Sequence, residues 1–374
     1  MKPQPARPGD AVEAIDTPAL VIDLDAMQRN IERMAAFAAR HRIRLRPHAK
    51  THKCAAVAMR QVAAGAVGVC VQKVGEAQAL AEAGVSDVYI SNEVVDTEKL
   101  ARVARLAGEV RLAIAVDSAL GVERLAHAVR AAGTTLDVFV EIDVGHGRCG
   151  VEPSTAGALV RQIVAHGLRF AGLQAYHGRA QHLRSASERS QAIAHAAACV
   201  RGAQASMTRS GLACPLVTGA GTGSFFYEAT SGVWGELQAG SYVFMDRDYA
   251  DNEPTTGAPV FEQALFVKSQ VISRGESHAV VDAGLKAHAI DSGLPAVWQR
   301  ALDFSNGGDE HGVLRPQTMG PQEPLPELGE TVWLVPGHCD PTVNLHDHLV
   351  AVRGGLDDGR VDAVWPVDAR GRTD

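Results

Sequence analysis

Apolar and polar positions along the chain change period at short, regular intervals. Asp25 to Arg40 repeats apolar residues at helical spacing, and Leu45 to His48 reads as a short strand. Cys54 to Ala64, Glu76 to Ala83, Ala119 to Ala132, Thr155 to His166 and Ser187 to Arg209 have the helical period. Between them Val67 to Val71, Asp87 to Ser91, Leu112 to Val116, Asp137 to Ile142, Phe170 to Tyr176, Pro215 to Thr218 and Glu236 to Ala239 are apolar runs of strand length. Strands alternating with helices in this number are what a (β/α)8 barrel of about 250 residues requires. A doubly wound sheet shows the same alternation and is the second topology that the spacing allows.

Beyond Phe261 the helical period stops. Ala264 to Ile272, Ala279 to Asp282, Thr331 to Val335 and Leu349 to Arg353 alternate with turns, which predicts an all-β domain, with Pro316 to Gly329 as an exposed loop inside it. The expected division is a barrel over residues 25–260 and a β domain over 261–374, joined by residues from about 1 to 24. A length of 374 residues with 46% hydrophobic content suits two such units.

The net charge of -7 offers no basic face for a nucleic acid or an anionic membrane, so a small-molecule partner is expected. The six cysteines form no C-x-x-C pair, and the proline-rich N-terminus lacks an apolar signal core. With no run of about 18 apolar residues, the reading is a cytoplasmic protein with reduced thiols.

Four clusters carry candidate chemistry. Arg46-Pro47-His48-Ala49-Lys50 ends the first barrel strand, where catalytic groups of such barrels sit. If the strand continues, Arg46, His48 and Lys50 share a face, and crowding by cations should depress the lysine's pKa and favour attack on a carbonyl cofactor. Lys53, Lys73 and Lys286 compete for that role. Thr218 to Ser224, after the seventh strand, is glycine-rich; its N–H groups with the Thr222 and Ser224 hydroxyls form a phosphate nest, without the lysine of a nucleotide-binding P-loop. Gly145 to Gly150 presents Arg148 at the barrel mouth, and Tyr176 and His177 end the sixth strand. In the β domain, His338 and Asp340 stand at i and i+2, so on extended backbone both can face one metal ion while Cys339 faces away. Asp309 to Gly312 is a further polar knot that either lines the same cavity or closes a turn.

With Asp16 to Leu20, Gln72-Lys73 and Asp282 to Lys286, these segments together resemble the fold-type III pyridoxal-phosphate enzymes, in the D-threonine aldolase and D-serine dehydratase branch related to the alanine racemase N-terminal domain. The resemblance runs from about Asp16 to Arg370. It implies pyridoxal 5'-phosphate carried by Lys50, with Arg148 near its phenolic oxygen and Tyr176 beside its ring. Gln72, Gly221, Thr222, Gly223 and Tyr242 would lie near its phosphate, His182 would transfer a proton, and His338 with Asp340 would hold a divalent metal (manganese, magnesium, zinc or cobalt). The family's triple glycine is here Gly219-Ala220-Gly221.

Dehydratases of this branch resemble His-x-Cys at the metal pair, whereas aldolases resemble the His-x-Asp found here. The resemblance therefore implies an aldolase of the D-threonine type, cleaving a D-3-hydroxy amino acid to glycine and an aldehyde. Ala287 to Pro295 also resembles 3-hydroxy-D-aspartate aldolases, which would release glyoxylate. A D-serine or 3-hydroxyaspartate dehydratase, a racemase and a non-catalytic cofactor carrier are the other readings, and the family implies a homodimer.

Overall fold

Strands of the first part of the chain carry branched residues at one parity and small or aromatic ones at the other, and this decides how they pack. The computed structural model describes residues 4–318 and 323–374. After β1 (Ala19–Asp23) come β2 (Arg44–Leu45), β3 (Val69–Val71), β4 (Asp87–Ile90), β5 (Arg111–Val116), β6 (Asp137–Glu141), β7 (Arg169–Ala175), β8 (Val217–Gly219) and β9 (Glu236–Leu237). β2 to β9 form one eight-stranded parallel sheet, in the order β2-β9-β8-β7-β6-β5-β4-β3. The amides of Val67 and Cys70 donate to the carbonyls of Leu45 and Pro47 at 2.8 Å, joining β2 to β3. The ring closes, so the barrel forms rather than the doubly wound sheet. Val88, Ile90, Ile114 and Val116 belong to the core shared with the helices, whereas Cys70, Tyr89, Ala115 and Phe139 form a separate cluster within the ring.

Local chemistry sets the helix ends. The Asp23 carboxylate accepts from the amides of Asp25 and Ala26 and starts helix Leu24–His41; Ser118 caps helix Ala119–Ala132, which Gly133 ends at φ 67°. Helix Thr97–Leu106 had no counterpart in the sequence pattern, because its buried residues are Leu100, Val103, Ala104 and Leu106 among charged neighbours.

The base of the barrel holds buried charge. Arg46 lies 3.2 Å from Glu236 and 2.5 Å from Asp87, the first residues of β9 and β4. Arg46 is 5% exposed and Glu236 1%. Burial opposes the guanidinium's charge, but the two carboxylates outweigh it and raise its pKa. Removing one partner of such a pair leaves the other charge buried, so Arg46→Ala is expected to lose about 3–5 kcal/mol in urea unfolding. A loss below about 1 kcal/mol would show that the pair is effectively solvated.

The second sheet contains β1 and the later strands β10 (Leu265–Arg274), β11 (Ala279–Val281), β12 (Ala296–Val297), β13 (Leu302–Asn306), β14 (Gly312–Pro316), β15 (Thr331–Val335), β16 (His348–Arg353) and β17 (Arg360–Pro366). Its main path is β13-β14-β11-β10-β1-β16-β17, with β15 pairing β10 and β12. Only the β1–β16 contact is parallel. Lys268 fixes the N-terminal segment by donating to the carbonyls of Val12, Glu13 and Ile15 at 2.7–3.0 Å. Positions 319–322 of the loop expected at Pro316 to Gly329 lie outside the described residues.

Candidate active site

Pro47 has no N–H to extend the ladder, so β2 ends at Leu45, His48 makes only an isolated bridge to Cys70, and Ala49–Thr51 turns as a 3-10 helix. The shared strand face expected for Arg46, His48 and Lys50 is therefore corrected: Arg46 is drawn to the barrel base, while His48 and Lys50 reach the mouth. There a cavity of about 340 Å³ is lined by His48, Lys50, Gln72, Lys73, Arg148, Tyr176, Gly221 and Thr222, with Ser91, Gln174, Gln238, Gly240, Ser241 and Tyr249 completing the wall.

Lys50 contacts the Asp340 carboxylate. Burial opposes the ammonium, yet Asp340 and then Tyr176 outweigh it, so the lysine's pKa is raised and not depressed as the cationic run predicted. The cations next to it in sequence are not what it meets. Lys53 is spent on Glu76 at 3.0 Å, and burial, then Lys50, push His48 well below the usual histidine range, leaving a neutral ring. His48 Nε2 lies 3.0 Å from Gln72 Nε2 and 3.2 Å from Ser91 Oγ. Lys286 is excluded from the cavity, being exposed and paired with Glu310 at 2.6 Å; Lys73 does line it.

The glycine-rich loop fits an anion. A Cβ at Gly223 would lie 2.5 Å from the Gln181 carbonyl, so the two chains pass too closely there for any side chain, and one at Gly221 would lie 2.5 Å from Gln181 Oε1. Ala220 takes φ 76° where the family pattern has glycine. The amides of Gly221, Thr222, Gly240 and Ser241 donate to no acceptor among the described residues, and they come from the loops after β8 and β9. Two members of the expected nest are otherwise engaged: the Gly223 amide donates to Gln181 at 2.9 Å, and Ser224 Oγ donates to Glu228 at 2.7 Å. Tyr242 contributes through its backbone, whose amide donates to Thr222 Oγ1 at 3.0 Å; its side chain is buried, its hydroxyl accepting from Gln61. These open amides beside a primary amine suit a phosphorylated aldehyde such as pyridoxal phosphate.

On the opposite wall, Asp143 accepts from the amides of Gly145 and Gly147 at 2.9 and 3.1 Å, a turn that delivers Arg148 to the mouth. Its guanidinium carbon lies 5.7 Å from the centre of the Tyr176 ring.

His338 and Asp340 do not alternate on a strand. His338 is extended and caps the short helix Cys339–Val343, so Asp340 sits in that helix's first turn, fixed where Asp246 accepts the Cys339 amide at 2.8 Å. Cys339 is buried, with Sγ 3.5 Å from Asp340 Oδ1; His338, Cys339 and Asp340 all stand behind the residues that line the cavity, and Asp340 reaches it through its contact with Lys50. His338 Nδ1 donates to Asp291 at 2.7 Å, which leaves Nε2 for a metal. No third His, Cys, Asp or Glu among the described residues completes a three-ligand group with this pair. A divalent ion held here would keep several positions for water and substrate, and the mixed nitrogen and oxygen donors suit manganese, zinc or cobalt. His346 and Asp347 serve structure, through the Ala287 carbonyl at 2.8 Å and Arg370 respectively. Asp309 to Gly312 closes the β13–β14 hairpin.

His182 stands at the rim, half exposed, with Nδ1 2.6 Å from Asp248 Oδ2. Its ring is 6.1 Å from that of Tyr249, which lines the cavity. The hydrogen bond to Asp248 raises its pKa above the usual 6.5, against the effect of burial. Tyr249, Ser91, Gln174 and Gln238 are site residues that the pattern did not single out. Of these, only Ser91 carried a usable signal, its place at the end of a barrel strand.

Residues 22–248 match the model of the alanine racemase N-terminal domain, and residues 264–352 that of a putative serine dehydratase domain. The chain is 45% identical to a D-threonine aldolase of Arthrobacter sp over 99% of its length and 96% of that protein's. It is 42% identical to a 3-hydroxy-D-aspartate aldolase of Paracoccus denitrificans (strain Pd 1222), over 98% of this chain and 95% of that one. The crystal structure of D-threonine aldolase from Filomicrobium marinum superposes with a TM-score of 0.96 at 48% identity, covering 99% of this chain and 100% of that one. The chain belongs to the alanine racemase N-terminal domain family of fold-type III enzymes, in the group that includes D-threonine aldolases and 3-hydroxy-D-aspartate aldolases.

Proposed function

We propose that the protein is a pyridoxal-phosphate- and divalent-metal-dependent aldolase that cleaves D-3-hydroxy amino acids to glycine and an aldehyde. The observation that carries this reading is the contact between Lys50 at the barrel mouth and Asp340 of the second sheet's side, with His338 beside it. An amine that holds an amino-acid-binding cofactor and a metal pair that holds a hydroxyl would then face the α and β carbons of one substrate.

Pyridoxal phosphate supplies the electron sink for Cα–Cβ cleavage, and a divalent ion lowers the pKa of a bound hydroxyl. Lys50 anchors the cofactor, the open amides of Gly221, Thr222, Gly240 and Ser241 bind its phosphate, and Arg148 and Tyr176 form the wall beside its ring. His338 and Asp340 orient the substrate hydroxyl. Asp248 engages Nδ1 of His182, so Nε2 is the atom that exchanges the proton. The substrate's own side chain is set by testing D-threonine against both diastereomers of 3-hydroxy-D-aspartate; cleavage of none, with L-3-hydroxy acids turned over instead, would contradict the proposal. The family likeness also supports a homodimer.

A base must be neutral, so the His182-dependent limb of kcat should rise with pH through a pKa above the usual histidine value. His182→Gln is expected to lower kcat about 10²- to 10³-fold and to remove that limb. An unchanged pH profile would assign the proton transfer elsewhere.

A further inference from the structure

Three consecutive barrel strands each bring a carboxyl to the mouth beside Arg148: Glu93 beyond β4, Asp117 after β5 and Glu141 at the end of β6. Asp117 is provided for, since it accepts from the Gly150 amide at 3.2 Å. Glu141 is not. It is 3% exposed, its nearest cation is Arg148 at 4.0 Å, and no donor among the described residues reaches it. Both oxygens of Glu93 are likewise shielded from solvent, and the neutral Cys149 thiol is the neighbouring donor. Glu93 and Glu141 lie within hydrogen-bonding reach of each other.

Two carboxylates in contact, buried, with one guanidinium between them and the cavity, carry one negative charge too many. We propose that Glu141 is held as a neutral carboxylic acid donating to Glu93, and that the resulting singly charged pair positions Arg148 at the cofactor wall. The groups that face Glu141 agree with this: burial and Glu93 push it well above the usual carboxylate range, Asp117 adds to the rise and Arg148 only partly offsets it. Cys149 Sγ, within 4.8 Å of a carboxylate oxygen of Glu93 and of Asp117, is also pushed up, to about 11, and so adds no charge near neutrality. Glu93 and Glu141 are thus positioning residues, acting through Arg148.

The role of Arg148 toward the cofactor rests on the function proposed above, whereas the protonation of Glu141 does not, and the two are read separately. Infrared difference spectra of the holoenzyme against Glu141→Gln near neutral pH should show a protonated-carboxyl carbonyl band that fades only at a pH well above the usual carboxylate range. Pyridoxal phosphate affinity, from titration of the visible absorbance, should be nearly unchanged in Glu93→Gln and in Glu141→Gln, since each keeps one anion. The double variant should bind about tenfold more weakly. Absence of the band would overturn the proposal. So would a band replaced by carboxylate signals when manganese or calcium is added, because a cation would then be the neutralising partner. Single variants as damaging as the double would show two independent charges and overturn it equally; if the double variant fails to fold, the band still decides.

Discussion

Lys50→Ala should lose at least about a thousandfold in kcat and the visible absorbance of bound cofactor together. No other amine among the described residues occupies its place: Lys53 is tied to Glu76, Lys286 to Glu310, and Lys73 stands on the cavity wall without the Asp340 contact. Borohydride reduction followed by peptide mapping should put the label on the peptide containing Lys50. A label on Lys73 would move the anchor one strand along the barrel and separate it from the metal pair. Retention of rapid turnover in Lys50→Ala would remove the lysine from the chemistry altogether.

Asp340→Ala should behave differently, keeping cofactor absorbance while lowering kcat about 10²- to 10³-fold. Dialysis against a chelator should reproduce that loss in the wild type, and added manganese, cobalt or zinc should restore it there and not in the variant. With His338 and Asp340 as its protein ligands and no third among the described residues, a bound ion would be expected to exchange readily. Asp291→Asn, which weakens the support of His338, should raise the metal concentration needed by about 10- to 100-fold. Chelator-insensitive turnover would favour the racemase reading instead.

The barrel was legible because its strands are buried on both faces and its helices are amphipathic, so each element announces itself within a few residues. Short strands such as β12, and β13 with β14, escaped because their pairing depends on partners distant in sequence. The same limit governs the site. Lys50, Arg148 and the glycine loop lie at strand ends, where position alone suggests chemistry. What Lys50 meets was not legible: Asp340 arrives from the other sheet's side of the molecule, which reverses the direction of the lysine's pKa. Nor could alternation place the metal pair, since the Asp246 cap on Cys339 turns the backbone into a helix just where a strand was expected. Tyr249 stood unnoticed because a lone tyrosine after a turn has no period to mark it.

The most direct test is the identity of the products from D-threonine with metal-loaded holoenzyme. Glycine and acetaldehyde in equal amounts, formed only while the metal is present, are the expected result. Ammonia with a keto acid would contradict it, showing that Asp340 supports loss of the hydroxyl and not cleavage of the Cα–Cβ bond.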